Sequence, residues 1–272
     1  MSSTSNFRPP AVAGMFYSSS AQELTDELHD LLAHAKTSHT QDIQPKALIV
    51  PHAGYAYSGA IAASAYQILN KPAIRSTIRR VILLGPTHRA AVSGLALPAA
   101  DINAFATPLG RIPIDTALAQ LALQLPQVRC SNAAHAQEHS LEVQLPFLQT
   151  LLDNFTLLPL AVGSVSASNV AEVLDLLWGE KETLIIISSD LSHYRPYVAA
   201  QRMDQTTVEQ ILSFEPLANH EQACGAIPIN GFLLSARKHG LQGQLLDLRN
   251  SGDTGGDRSR VVGYASFAFT EN

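Results

Sequence analysis

The chain has 272 residues, 46% of them hydrophobic and 15% charged, with a formal net charge of −5. That apolar content excludes disorder as a description of the whole, and the length suits one large domain or two small ones. With 18 Lys+Arg against 23 Asp+Glu there is no electrostatic footprint for nucleic acid or anionic lipid. Two cysteines, Cys130 and Cys224, exclude a disulfide framework and fit a reducing compartment. Ten histidines stand beside them.

The opening MSSTSNFRPP lacks the basic and apolar regions of a secretory signal, and no run approaches the roughly 18 apolar residues that span a bilayer. A cytoplasmic protein without membrane contact is expected. Residues 20–35 carry Leu24, Leu28, Leu31 and Leu32 on one helical face, and Ser20 with Glu23 makes a capping box, predicting a helix. A polar loop over 37–44 follows. Next come a predicted strand over 47–50, helix 59–69, strand 80–84, a mostly helical stretch 113–123 and helix 140–152. Strand 156–162, helix 167–178 and strand 183–188 continue the alternation. Helices over 198–214 and 224–239 and two C-terminal runs, 243–248 and 260–269, complete the order. Near-continuous Ile/Leu/Val strands separated by helices predict an α/β fold with a mostly parallel central sheet covered on both faces. No repeat, low-complexity linker or shift in composition marks a boundary, so one domain over 1–272 is expected.

Three apolar strands end alike. Residues 47–50 run into Pro51-His52-Ala53-Gly54, 81–84 into Gly85-Pro86-Thr87-His88, and 184–187 into Ser188-Ser189-Asp190-Leu191-Ser192-His193. In open parallel sheets the carboxyl ends of the strands share one edge, where ligands bind. Each histidine taken alone reads first as a loop residue capping a strand or bonded to backbone; the recurrence on separate strands points instead to a metal or acid/base site. Tyr55 and Tyr57 follow His52 and read either as pocket walls or as core.

Other groups leave two readings open. In 135–142 (HAQEHSLE), His135 and His139 are four apart, which on a helix places them on one face, but the order is not that of a zincin. Glu138 and Glu142 read first as helix-capping carboxylates, and His139 as either a site residue or a cap. Asp190 and His193 are three apart, a spacing at which a carboxylate raises the basicity of an imidazole and fixes its tautomer. No G-x-S-x-G elbow supports a serine hydrolase. Cys224 opens an apolar helical run, where a helix N-terminus lowers the pKa of a thiol; buried cysteine is otherwise inert packing. With two imidazoles it completes a His₂Cys donor set suited to Zn, Cu or Fe.

Seven segments in order resemble the Memo family, known in microbes as AmmeMemoRadiSam system protein B. They are 8–17 (RPPAVAGMFY), 51–59 (PHAGYAYSG), 84–88 (LGPTH), 138–142 (EHSLE), 188–193 (SSDLSH), Cys224-Gly225 with Pro228-Ile229, and 250–253 with 261–264. The resemblance implies the fold of class III extradiol dioxygenases. It implies a metal held by His52, His88 and Cys224, with Asp190, His193 and His139 beside it and Phe16 and Tyr57 as aromatic walls. His193 matches the acid/base histidine of the similar dioxygenases, in which two histidines and a glutamate hold Fe(II). Here Cys224 stands where the carboxylate is expected, and a thiolate favours softer metals over ordinary catechol cleavage. Ser18 departs from the proline common after Phe-Tyr in microbial members.

Three functions follow as expectations. The first is a metal-dependent, dioxygenase-like oxidoreductase using Fe or Cu, with His193 as acid/base. The second is a non-catalytic component binding a small molecule or peptide alongside AMMECR-type and radical-SAM proteins, the partners implied by the name of the microbial system. The third is a zinc hydrolase with Asp190 or Glu142 as general base.

Overall fold

Uninterrupted runs of Ile, Leu and Val bury a strand on both faces, and such runs form the middle of the sheet. A computed structural model of the chain describes residues 6–36 and 44–271, so most of the expected polar loop at 37–44 lies outside the described residues. The strands are β1 (Phe7–Arg8), β2 (Ala47–Val50), β3 (Arg80–Pro86), β4 (Leu95–Leu97), β5 (Ala104–Thr107), β6 (Gly110–Pro113), β7 (Val128–Cys130), β8 (Thr156–Val162), β9 (Thr183–Ser188), β10 (Gln242–Asn250) and β11 (Gly263–Thr270). The helices are α1 (Ala21–Ala33), α2 (Ala60–Tyr66), α3 (Pro72–Thr77), α4 (Thr116–Ala122), α5 (Asn132–Ala136), α6 (Leu145–Leu151), α7 (Ala167–Leu177), α8 (Tyr197–Leu212) and α9 (Ala226–Lys238).

Eight strands make one mixed sheet in the order β10-β11-β2-β9-β3-β8-β4-β7. Its centre, β2-β9-β3-β8, is parallel throughout. The β10–β11 hairpin joins antiparallel to β2, and β4 joins antiparallel to β8. A small sheet, β1-β5-β6, stands apart. Alternation along each strand feeds two cores. Leu48, Val81, Leu83, Leu184 and Ile186 face the layer of α1, α2 and α6, while Ile49, Ile82, Leu84, Ile185 and Ile187 face that of α7 and α9. Burying an Ile or Leu side chain stabilises by roughly 1.5–3 kcal/mol before chain entropy is subtracted, so this doubled interior fixes the register of β2, β3 and β9.

The expected α/β fold is present, with local differences. Pro113 belongs to β6, and the helix there starts only after Asp115, whose side chain accepts the N–H of Leu118 at 3.0 Å. The stretch expected as one helix over 140–152 is a 3-10 turn, Glu142–Gln144, followed by α6, whose first turn carries Pro146. The helix over 59–69 is α2 bracketed by the π turn Tyr55–Gly59 and the 3-10 turn Gln67–Leu69. The last helix starts at Ala226, two residues after Cys224. No helix among the described residues is long and apolar enough to cross a membrane.

Candidate metal centre

Because β2, β3 and β9 are parallel neighbours, their carboxyl ends deliver His52, His88 and the 188–193 loop to one edge. His139 arrives from the segment before α6. The available ligand atoms of His52, His88 and His139 all lie within 4.8 Å of one another. Their ring centroids are 5.2 Å (His52–His88), 5.4 Å (His52–His139) and 4.7 Å (His88–His139) apart.

The hydrogen bonds behind the rings fix their tautomers. The Ser188 hydroxyl donates its one proton to the Ser140 carbonyl (2.5 Å) and accepts from Gln144 Nε2 (2.8 Å). Its remaining contact, His52 Nδ1 at 2.9 Å, must therefore be donated by the imidazole. His88 Nδ1 lies 2.9 Å from Glu138 Oε1, a buried carboxylate that can only accept. Both rings thus carry the proton on Nδ1 and leave the Nε2 lone pair for a metal, the usual way an outer hydrogen bond orients a ligating histidine. His139 Nδ1 is buried with no hydrogen-bond partner, and the Phe16 ring covers this imidazole at 4.9 Å.

Burial sets the protonation states. It pushes the His52 pKa well below the usual imidazole value, helped by His88 and His139, and brings His139 down to about 4. Neutral imidazoles are the ligating form. Burial works to raise Glu138, but the side-chain and backbone N–H donors of His88 prevail and hold it at about 2.

Glu138 and Glu142 are not helix caps. Glu138 also accepts the backbone N–H groups of His88 (2.5 Å), His139 (3.0 Å) and Ser140 (2.9 Å). Gly85 permits this close approach, since a Cβ there would lie 2.8 Å from Ser140 Oγ. Glu142 accepts from Arg8, from the N–H groups of Ala11 (2.7 Å) and Val12 (3.0 Å), and from Tyr17 Oη (2.6 Å). One buried carboxylate therefore ties down the segment 8–17 that carries Phe16. His135 does not share a face with His139: α5 ends at Ala136, and His135 Nε2 lies 2.9 Å from the Ala96 carbonyl.

Asp190 turns away from the role expected beside His193. Its Oδ1 accepts the His52 backbone N–H at 2.7 Å, and burial raises its pKa to about 7. No hydrogen bond joins it to His193 among the described residues. Burial also lowers the His193 pKa below the usual imidazole value.

Cys224 Sγ is 3.3 Å from His52 Nε2, adjacent to the three histidines but outside their group. The expectation of a depressed thiol pKa does not hold: α9 begins beyond Cys224, and burial, then Asp190, push the thiol up to about 12. The thiol has acceptors in reach, among them His52 Nε2 at 3.3 Å and the Asp190 carbonyl at 3.7 Å. Tyr57 is 48% exposed on its π turn, in contrast to Phe16. An adjoining cleft of about 500 Å³ is lined in part by His88, His193, Arg195 and Cys224. Gln144 and Arg195 lie outside the motifs read from the sequence; Glu138 and Ser188 lie within two of them, but their roles behind His88 and His52 come only from the fold.

Fold and site together define an α/β protein with a three-histidine cluster that can hold a metal ion at the carboxyl edge of its sheet. The two oriented Nε2 atoms and the neutral His139 imidazole beside them fit such an ion. A family model described as "Memo-like protein" matches residues 8–268, and the chain belongs to the Memo family. A "MEMO1 family protein" of Aquifex aeolicus is 37% identical, covering 96% of this chain and 98% of the relative. Another from Methanobrevibacter smithii is 35% identical over 96% and 99%. A solved structure, an uncharacterized protein JW3007 from Escherichia coli K12, is 12% identical. It aligns with a TM-score of 0.52 over 82% of this chain and 98% of its own, a likeness of fold alone.

Proposed function

We propose that the protein is a metal-dependent oxidoreductase acting on a small substrate in the cleft beside the histidine cluster. The observation that carries this reading is the pair of committed Nδ1–H groups, which turn the Nε2 atoms of His52 and His88 toward the space they share with His139. Cys224 adds a soft donor 3.3 Å from His52 Nε2, which favours Fe or Cu over harder ions, with Zn as the non-redox alternative. When bound, the metal supplies Lewis acidity and, for Fe or Cu, electron transfer.

The chain's own residues do the rest. His193 lines the cleft and, neutral at pH 7, can accept a proton from a substrate hydroxyl at a ring nitrogen and return it. Phe16 shields His139 from water. Asp190 holds the His52 backbone in place. Tyr57 stands exposed, available to close over a ligand.

Metal analysis of protein purified without chelator, followed by anaerobic Fe(II) or Cu(I) loading and oxygen-uptake assays on reduced small substrates, tests this. One equivalent of metal, lost in His88→Ala, with uptake lost in His193→Ala, is the expected result. Absence of binding by any of Fe, Cu and Zn overturns the reading.

A further inference from the structure

The cleft has one fixed cation and one carboxylate among its lining side chains, Arg195 and Glu221, and they are paired: Arg195 Nη2 donates to Glu221 Oε2 at 2.9 Å. The two are held very differently. The backbone of Arg195 is pinned, its carbonyl accepting the Val261 N–H at 2.8 Å in an isolated antiparallel bridge. Tyr194 before it has φ 55°, in the left-handed region that non-glycine residues seldom occupy, and the Arg260 guanidinium lies 5.1 Å from its ring. This strained turn brings His193 and Arg195 to the same cleft. The Glu221 side chain, by contrast, is 60% exposed, against 36% for Arg195. An exposed ion pair of this kind contributes little and exchanges readily. A guanidinium offers a planar fork matched to a carboxylate, and the match strengthens when a ligand excludes water.

We propose that the cleft selects a small organic carboxylate, with Arg195 as the residue that reads its charge and Glu221 as the internal carboxylate that the ligand displaces. The inference rests on the reading of this cleft as the substrate site. It identifies the head group: Glu221 already shows what Arg195 binds. The volume, about 500 Å³, suits a molecule of drug-fragment size with its body toward His88 and His193.

The test uses the full chain after chelator treatment, so its outcome does not depend on metal. Benzoate and hexanoate are titrated by NMR beside their uncharged counterparts, benzamide and hexanamide. Carboxylates are expected to bind about ten-fold or more tightly than the matched amides. Arg195→Gln should bring that ratio to about one, and Glu221→Gln should raise carboxylate affinity several-fold while leaving the amides unchanged. Equal binding of acid and amide, a preference that survives Arg195→Gln, or no binding of any of the four overturns the proposal. A carboxylate preference in protein that binds no metal overturns the oxidoreductase reading alone.

Discussion

On one side of the cleft His52 and His88 each give a ring proton to a buried acceptor that is itself locked, Ser188 by Ser140 and Gln144, Glu138 by three backbone N–H groups. On the other side His193 and Arg195 hang from a loop anchored through its backbone. Leu191 N–H donates to the Gly263 carbonyl, Gly263 N–H to Ser192, and Ser192 N–H to Asp204 Oδ1. The first arrangement fixes side-chain tautomer and direction, as ligation requires. The second fixes only where the chain runs and leaves the side chains to respond to what enters, which suits proton transfer and charge recognition.

The largest expected effect lies behind the rigid side. Glu142→Ala leaves the Arg8 guanidinium buried without its partner and frees the 8–17 segment, for an expected loss of about 3–5 kcal/mol in urea unfolding. Hydrogen exchange should show that segment opening first; unchanged protection there would mean that Phe16 is held by packing alone. A step smaller, Glu138→Gln keeps the shape but weakens the hold on His88. Metal affinity should fall about 10–100-fold, as for other lost outer partners of ligating histidines. His193→Ala should leave that affinity unchanged, and an equal loss in both variants would break the contrast between the two sides.

The smallest effect belongs to Asp204, whose pKa burial raises to about 6, with the Ser192 backbone N–H opposing. A carboxyl raised in the folded state contributes stability below its unfolded pKa and loses it as pH climbs through the folded value. The Asp204 contribution should therefore decline from about pH 4 to pH 6, against the opposite contribution of the buried histidines, whose lowered pKa values add stability as pH rises over the same range. Asp204→Asn keeps an oxygen for Ser192 N–H and should remove this contribution alone, so that the difference in stability between wild type and variant declines across that range. Parallel profiles for the two proteins would place the titration elsewhere.

The strand ends were readable because β2, β3 and β9 are unbroken apolar runs; His52 and His88 meet beyond two of them, while His193, beyond β9, lines the adjoining cleft and His139 takes the third place in the cluster. The environment of each histidine was not readable. Glu138 reaches His88 across 50 positions, and Ser188 reaches His52 across 136, distances at which no local pattern operates. Cys224 misled for a local reason: Gly225 and the start at Ala226 leave the thiol before the helix, where desolvation governs it. The 113–123 stretch misled because Ile112 and Pro113 pair with Phe105 and Ala104 across β6, a tertiary contact that overrides helical spacing.

The hold of Glu142 on Arg8 also has a bearing on the order in which the molecule assembles. The two residues are 134 positions apart, and β2, bearing His52, closes its ladders only on β9 and β11. Joining such distant pieces carries a loop-closure cost that precedes any reward, and topologies rich in these contacts fold slowly. As the chain leaves the ribosome, the segment bearing Phe16 emerges early and waits for more than half the sequence before it can dock. The histidine cluster is therefore complete only when the central strands are in register and the segment before α6 has docked on them.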